Sequence, residues 1–295
     1  MEREISAHTG MLGLLGHPVG HSVSPYLQNR LAELHGLDLC YLAWDVEAEK
    51  LEDALRGARA MGVRGMNVTV PHKQAVRAFL AAEDESAARI GAVNTLKNEA
   101  DGWHGYNTDM PGFLDALADD GVELKGRRVV VLGAGGAANA ILCGVLASAP
   151  EQVLLYNRSA DKAEALLGRL APFYPGVEAA VVREAAELPA AMEGGADDWI
   201  AVQTTSLGMA PHTESKLIAD NAFYSRIETG YDIVFNPADT AFMKAVREAG
   251  AGKRSFNGLK MLLYQGIRSF EIWTGAPTGR DEARSLLPEM AERIG

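Results

Sequence analysis

Residues 127–147 read RRVVVLGAGGAANAILCGVLA, and this stretch decides the fold. The apolar run 129–132 is followed by a glycine cluster and then by a long apolar, alanine-rich segment, which is the order strand, tight turn, helix. Gly133, Gly135 and Ala138 have the G-x-G-x-x-G/A spacing of a dinucleotide-binding turn, with Ala134, Gly136 and Ala137 between them. A side chain at either of the first two positions would obstruct the turn or the approach of a pyrophosphate to backbone N–H groups. The helix that follows adds the positive end of its dipole to the same anion site. A glycine turn of this kind can also be purely structural, but the flanking strand and helix favour the binding reading.

The next strand, residues 152–156, ends in Asn157-Arg158-Ser159. An enzyme that binds NAD normally places Asp or Glu about 20 residues beyond the glycine turn, where a carboxylate accepts the ribose hydroxyls and repels a 2′-phosphate. Here Arg158, Ser159 and Lys162 offer a guanidinium, a hydroxyl and an ammonium, so NADP is preferred over NAD. The bland alternative is a solvated surface arginine, and Asp161 lies close enough to interfere.

Upstream, short apolar runs alternate with amphipathic stretches, the pattern of a largely parallel α/β protein. Strands are expected over 11–15 and 65–70, and helices over 25–35 and 51–61, each stopped by a glycine. A hairpin is expected over 93–106, turning near 98–102. A connecting helix should follow over 111–119. The later helices, 259–274 and 281–294, have no strand of their own to cover, and are expected to return to the first domain. The expected division is therefore 1–109 plus 256–295 for one discontinuous domain and 110–255 for the dinucleotide domain.

Four polar constellations precede the glycine turn. Ser22 and Ser24 stand before a helix, with Ser24 as its expected N-cap and Pro25 at its first position. Two hydroxyls there could equally seat a carboxylate. In Asn67-Val68-Thr69-Val70-Pro71-His72-Lys73, strand alternation puts Asn67 and Thr69 on one face near the C-terminal edge, where open α/β sheets bind ligands. Lys73 is expected in the first turn of a helix. A cation there opposes the helix dipole, which suits it to proton transfer rather than to the role of an ordinary exposed lysine. Asn94-Thr95 and Asn107-Thr108-Asp109 close the set, Asp109 being a candidate helix cap when taken alone. His21 and His72 have no positioned partner in the sequence and are read as structural or peripheral.

Composition narrows the class. The chain has 295 residues, 47% apolar and 23% charged, with a net charge of −11 that argues against a nucleic-acid surface. Its two cysteines, Cys40 and Cys143, lack histidine partners at metal-ligand spacing, so neither a disulfide framework nor a metal site is expected. No apolar run approaches a membrane span, and MEREISAHTG lacks the regions of a signal peptide. A cytoplasmic enzyme acting on a small molecule is the expected class.

The segments GHPVGHSVSP, NVTVPHK, AVNTL, NTD, GAGGAA, NRS and NGLKMLLYQG together resemble the shikimate dehydrogenase family, in its order and over nearly the whole chain. The resemblance implies an N-terminal α/β/α substrate-binding domain, a Rossmann-type NADP-binding domain and a cleft between them. It implies reversible NADPH-dependent reduction of 3-dehydroshikimate to shikimate, in aromatic amino-acid biosynthesis, by a monomer or homodimer. By position it makes Lys73 and Asp109 the catalytic pair and Ser22 and Ser24 the ligands of the substrate carboxylate. Asn67, Thr69, Asn94 and Gln265 would line the rest of the substrate site. Asn157, Arg158, Ser159 and Lys162 would hold the 2′-phosphate, and Thr205, Met209, Ile233 and Gly258 would border the nicotinamide.

Three departures stand out. Phe235 occupies the place of a tyrosine that usually reaches the substrate carboxylate, Gln203-Thr204 replaces an asparagine and a small residue, and Lys260 replaces a frequent glycine. Alternative readings are a quinate/shikimate paralogue using NAD or both cofactors, a folate-type dehydrogenase with a catalytic lysine, and a non-catalytic NADP sensor. The serine pair and Asn107-Thr108-Asp109 argue against the folate-type reading, and an intact Lys73 and Asp109 against the sensor.

Overall fold

The structure, a computed structural model, describes residues 5–192 and 198–294. Residues 1–4, part of the stretch inspected for a signal peptide, and Gly295 lie outside the described residues. Contacts between Cα atoms divide the chain into two compact units, Met1–Gly112 with Leu263–Ile294, and Phe113–Leu262.

The first unit begins with β1 (Gly10–Gly16), α1 (Ser24–Leu34), β2 (Leu39–Asp45), α2 (Leu51–Ala60) and β3 (Gly65–Val68). Both crossovers are parallel, so β1 lies between β2 and β3 and is buried along nearly its whole length. That is why GMLGLLG reads as one apolar run rather than an alternation. After β4 (Leu80–Glu83) and α3 (Glu85–Ile90), the chain makes a hairpin of β5 (Thr95–Glu99) and β6 (Gly102–Tyr106), then enters α4 (Asp109–Asp119). The sheet order is β2-β1-β3-β5-β6-β4, with β5 antiparallel to both β3 and β6.

This mixed topology positions the site. The C-terminal ends of β1 and β3 lie at one edge of the sheet. Because β5 runs antiparallel, its start at Thr95 pairs with Asn67 at the end of β3, and the end of β6 at Tyr106 pairs with Thr95. Segments far apart in sequence, following β1, β3 and β6 and preceding β5, thus emerge at the same edge. The strand expected over 65–70 stops at Val68, but Thr69 still donates its N–H to Leu15 O (2.9 Å).

The second unit holds β7 (Arg128–Leu132), α5 (Gly136–Ala147), β8 (Gln152–Tyr156), α6 (Ala160–Leu170), β9 (Glu178–Val182), α7 (Leu188–Ala191) and β10 (Trp199–Gln203). It continues through α8 (Asn221–Ser225), β11 (Ile227–Asp232), α9 (Ala241–Glu248) and β12 (Arg254–Phe256). Its sheet is wholly parallel in the order β12-β11-β10-β7-β8-β9. Counted from its own first strand this is the doubly wound order 3-2-1-4-5-6, whose ligand crevice opens where β7 and β10 part. Val129, Val130, Val131, Val153 and Leu155 are fully buried, as strands covered on both faces require.

Last come α10 (Leu259–Thr274), α11 (Arg280–Ser285) and α12 (Leu287–Ile294). From Leu263 onward α10 packs on the first unit's sheet and on α1. Gln28 Nε2 donates to Gly266 O (2.8 Å) and Trp273 Nε1 to Leu96 O (2.8 Å). Among the described residues no helix is long and apolar enough to cross a membrane, and no cluster of His, Cys, Asp and Glu is arranged to hold a metal ion.

Candidate active site

At the shared edge of the first sheet, Lys73 Nζ lies 2.6 Å from Asp109 Oδ2. The side chains are 24% and 11% exposed, so the ammonium is held yet accessible from solvent. Asp109 opens α4, and its other oxygen, Oδ1, accepts from Asn94 Nδ2 at 2.8 Å. Both carboxylate oxygens are therefore committed, and a charge-assisted pair of this length is a strong, directional contact.

Lys73 is not in the first turn of an α-helix, as expected. It sits in a turn ahead of a five-residue 3-10 helix, Ala75–Phe79. That turn is stitched by His72 N–H to Thr69 O (2.9 Å) and Val93 N–H to Lys73 O (2.8 Å). No helix dipole stands behind the lysine; its placement comes from the turn and from Asp109. His72 is buried, with Nε2 2.7 Å from Val46 O, which suits the structural role assigned to it.

Ser24 is not the N-cap of α1 either. The cap is Val23, Ser24 is the first helical residue, and no side chain caps that end. The reason is local. Ser22 Oγ accepts the N–H of Ser24 (3.2 Å), drawing the chain into the helix one residue early. Both serines are half-buried beyond the end of β1.

Behind the ion pair lies a layer of buried polar groups. Asn94 is 2% exposed and donates to Thr108 Oγ1 (2.9 Å) as well as to Asp109, while its Oδ1 accepts from Thr108 N–H (2.8 Å). Asn67 is 5% exposed. Its Oδ1 accepts from Tyr41 O–H (2.8 Å) and its Nδ2 donates to Ser269 Oγ (2.8 Å), so Asn67 forms the floor of the site. Thr69 stands half-buried at the end of β3. Gln265 is brought up by close approach of α10 to α4: a Cβ on Gly112 would come within 2.5 Å of the Gln265 backbone nitrogen.

The second unit carries the dinucleotide signature. Gly133 follows β7 with φ +115°, and a Cβ there would come within 2.5 Å of Thr204 Oγ1 at the end of β10. Glycine is required on both counts. Gly135 and Gly136 are exposed, a Cβ on either would meet nothing, and no side chain caps α5. Ala138 is buried, where the third position packs helix on strand. The uncapped helix end, the open backbone and the switch-point position fit a pyrophosphate.

Asn157 ties this turn to the next strand, its Oδ1 accepting from Ala134 N–H (3.2 Å) and its Nδ2 donating to Ser159 O (2.8 Å). Arg158, Ser159 and Lys162 are exposed beside it, and among the described residues neither cation has an ion-pair partner. The chemistry of this donor set fits a phosphate monoester.

Gln203 braces the segment that follows β10. Its Oε1 accepts from both the N–H and the hydroxyl of Thr205 (2.7 Å each), and its Nε2 donates to Leu207 O (3.0 Å). Met209 is exposed beyond it. Ile233 N–H donates to Gln203 O (3.0 Å), and a Cβ on Gly258 would lie 1.9 Å from Ile233 O, so Ile233 and Gly258 are in backbone contact. Phe235 lies half-buried just past them in this second unit. Lys260 pairs with Asp119 (2.7 Å) and Asp120 (2.5 Å); burial pushes the Asp120 carboxyl up from its usual range, and the Lys260 ammonium opposes that.

The residues that sequence reasoning missed are Tyr41, Ser269, Asp232 and Thr240. Asp232 is fully buried and accepts from Thr240 Oγ1 (2.7 Å) and Val234 N–H (3.0 Å), with burial raising its pKa to about 6. Ser269 had a readable signal: it lies four residues past Gln265, on the same helix face.

The chain is also similar to known proteins. Residues 14–96 match the family profile of the shikimate dehydrogenase substrate binding domain, and residues 258–282 that of the shikimate 5′-dehydrogenase C-terminal domain. The shikimate dehydrogenase (NADP(+)) of Moorella thermoacetica is 43% identical, over 92% of this chain and 90% of its own length. The shikimate 5-dehydrogenase of Thermus thermophilus, solved with NADP(H) and shikimate, superposes with a TM-score of 0.82 at 32% identity, covering 97% of this chain and all of that one. That of Listeria monocytogenes, solved with shikimate and NAD, gives 0.87 at 30%, covering 97% and 99%.

Proposed function

The chain belongs to the shikimate dehydrogenase family, and we propose that it catalyses the reversible NADPH-dependent reduction of 3-dehydroshikimate to shikimate, within aromatic amino-acid biosynthesis. The observation that carries this reading is the Lys73–Asp109 couple, held at 2.6 Å on the sheet edge where Ser22, Ser24 and Thr69 also emerge.

When bound, NADPH supplies the hydride that reaches the C3 carbonyl carbon. Negative charge builds on the carbonyl oxygen as the C=O π bond breaks, and the Lys73 ammonium stabilises it and delivers the proton that completes the hydroxyl. Asp109 fixes that ammonium and orients the reacting oxygen. In the reverse direction the lysine amine takes the hydroxyl proton. Ser22 and Ser24 hold the carboxylate; in the second unit, Phe235 stands where the family usually has a tyrosine. Thr69, Asn94 and Gln265 meet the ring hydroxyls above the Asn67 floor.

The second unit takes the carrier. Gly133, Ala134, Gly135, Gly136, Ala137 and Ala138 receive the pyrophosphate; Arg158, Ser159 and Lys162, ordered by Asn157, receive the 2′-phosphate. Thr205, Met209, Ile233 and Gly258 border the nicotinamide. We propose that the enzyme works in the cytoplasm, as a monomer or homodimer.

The test is a turnover assay with shikimate and NADP⁺, run beside quinate and beside NAD⁺. Shikimate with NADP⁺ should give the highest kcat/KM. A preference for quinate would move the assignment to the paralogous activity, and no turnover with any pair would overturn it.

A further inference from the structure

We propose that Ser269 is a positioning residue for the Lys73–Asp109 couple; the proposal rests on the reaction assigned above. Ser269 lies in α10, is fully buried, and has four polar neighbours around one hydroxyl. Its Oγ is 3.0 Å from Gln265 O, 2.8 Å from Asn67 Nδ2, 2.8 Å from Thr95 Oγ1 and 3.1 Å from Thr108 Oγ1. A serine hydroxyl carries one proton and two lone pairs. With the proton given to the Gln265 carbonyl, the oxygen can only accept, from the Asn67 amide and from a threonine hydroxyl.

That constraint propagates to the catalytic pair. Thr95 Oγ1 and Thr108 Oγ1 also lie 2.9 and 3.2 Å from Asn94 Oδ1. Thr108 Oγ1 also accepts from Asn94 Nδ2 at the shorter 2.9 Å, so Ser269 Oγ takes the Thr108 proton and leaves that lone pair to the Asn94 amide, while the Thr95 proton goes to Asn94 Oδ1. Together with the Thr108 N–H (2.8 Å), the Thr95 hydroxyl holds the Asn94 carbonyl, and the Asn94 NH₂ is left to bridge Thr108 Oγ1 (2.9 Å) and Asp109 Oδ1 (2.8 Å). With the amide reversed, a carbonyl oxygen would face a carboxylate. Ser269 therefore helps set which way Asn94 points, Asn94 sets the carboxylate plane of Asp109, and Asp109 aims Lys73. In a buried network each such link matters more than its own hydrogen bond suggests.

A serine bonded to the carbonyl one turn back could instead merely fill space in the helix. Steady-state kinetics of the full chain with shikimate and NADP⁺ separates the two. Ser269→Ala should lower kcat about tenfold, or ~1.4 kcal/mol, with the Kd for NADPH unchanged within twofold. Ser269→Thr, which keeps the hydroxyl but crowds a fully buried site, should retain more kcat than Ser269→Ala; a packing role predicts the opposite order. In an Asn94→Ala background, Ser269→Ala should cost no further kcat. Should Ser269→Ala not fold, Ser269→Cys, of similar shape and weaker hydrogen bonding, should show the fall in kcat. Wild-type kcat in either variant, a poorer threonine than alanine, or additive losses with Asn94→Ala would overturn the proposal while leaving the reaction intact. Absence of turnover by the unmutated chain would instead remove the reaction itself, and the proposal with it.

Discussion

At the residue scale, the chemistry concentrates in one ammonium. Replacing Lys73 with alanine removes both the charge that meets the developing oxyanion and the proton donor, while leaving the second unit's glycine turn untouched. Lys73→Ala should therefore lower kcat by about 10²–10⁴-fold with NADPH affinity retained, measured by single-turnover kinetics and fluorescence titration; unchanged kcat would remove the lysine from the reaction. Arg158 makes a second prediction. It is exposed and has no carboxylate partner among the described residues, so its guanidinium is available to a phosphate. Arg158→Ala should raise the KM for NADP⁺ about 10–100-fold, the worth of a charge-assisted hydrogen bond, with little change for NAD⁺. These residues were legible because each stood in a short polar motif interrupting an apolar pattern. The Ser24 cap and the helix expected at Lys73 were misread because hydroxyl-to-backbone contacts and a 3-10 turn give no distinct sequence signal. Ser269 was overlooked because a lone serine in a helix looks solvent-facing, although its place one turn past Gln265 put it on that residue's face.

At the scale of elements, two parallel crossovers and one antiparallel hairpin bring the four constellations to a single edge. The sequence displayed β1, α1, α2 and the hairpin well, since each is bounded by a glycine or a turn. It did not display that β5 lies beside β3, because pairing partners leave no mark on either strand alone. The glycine turn after β7 was the most legible element, and the structure adds its reason: Gly133 is locked between its positive φ and the Thr204 hydroxyl. Gly133→Ala should therefore displace the end of β10, where Gln203 braces Thr205. The expected outcome is at least tenfold weaker NADPH binding, by isothermal calorimetry, and a melting transition lowered by several degrees, the cost of a residue forced to positive φ with a clash. An alanine variant with native affinity would show that the turn is not shaped by this contact.

At the scale of the whole molecule, a chain of net charge −11 is assigned two anionic ligands. The positive groups proposed to meet them are then few and local, Lys73 beside Asp109 in the first unit and Arg158 and Lys162 beyond β8 in the second. A separate electrostatic consequence, due to burial, falls on Asp232, the last residue of β11 in the second unit. Burial holds its carboxyl up at about 6 from an ordinary 3.8, against the lowering influence of the Thr240 hydroxyl and the Val234 N–H. A carboxyl whose folded pKa is raised stabilises the fold fully below the unfolded value, and loses that contribution as pH rises through about 6. Between pH 4 and 7 the difference amounts to roughly 2 kcal/mol, so ionised Asp232 weighs against the fold near neutrality. Asp232→Asn keeps an acceptor for the Val234 N–H and an amide that the Thr240 hydroxyl oxygen can accept from. It should raise the urea midpoint at pH 7.5 and flatten its dependence on pH from 4.5 to 7.5, relative to the unmutated chain. Parallel pH dependences in the two proteins would mean that Asp232 is already ionised at low pH, and that its hydrogen bonds outweigh its burial.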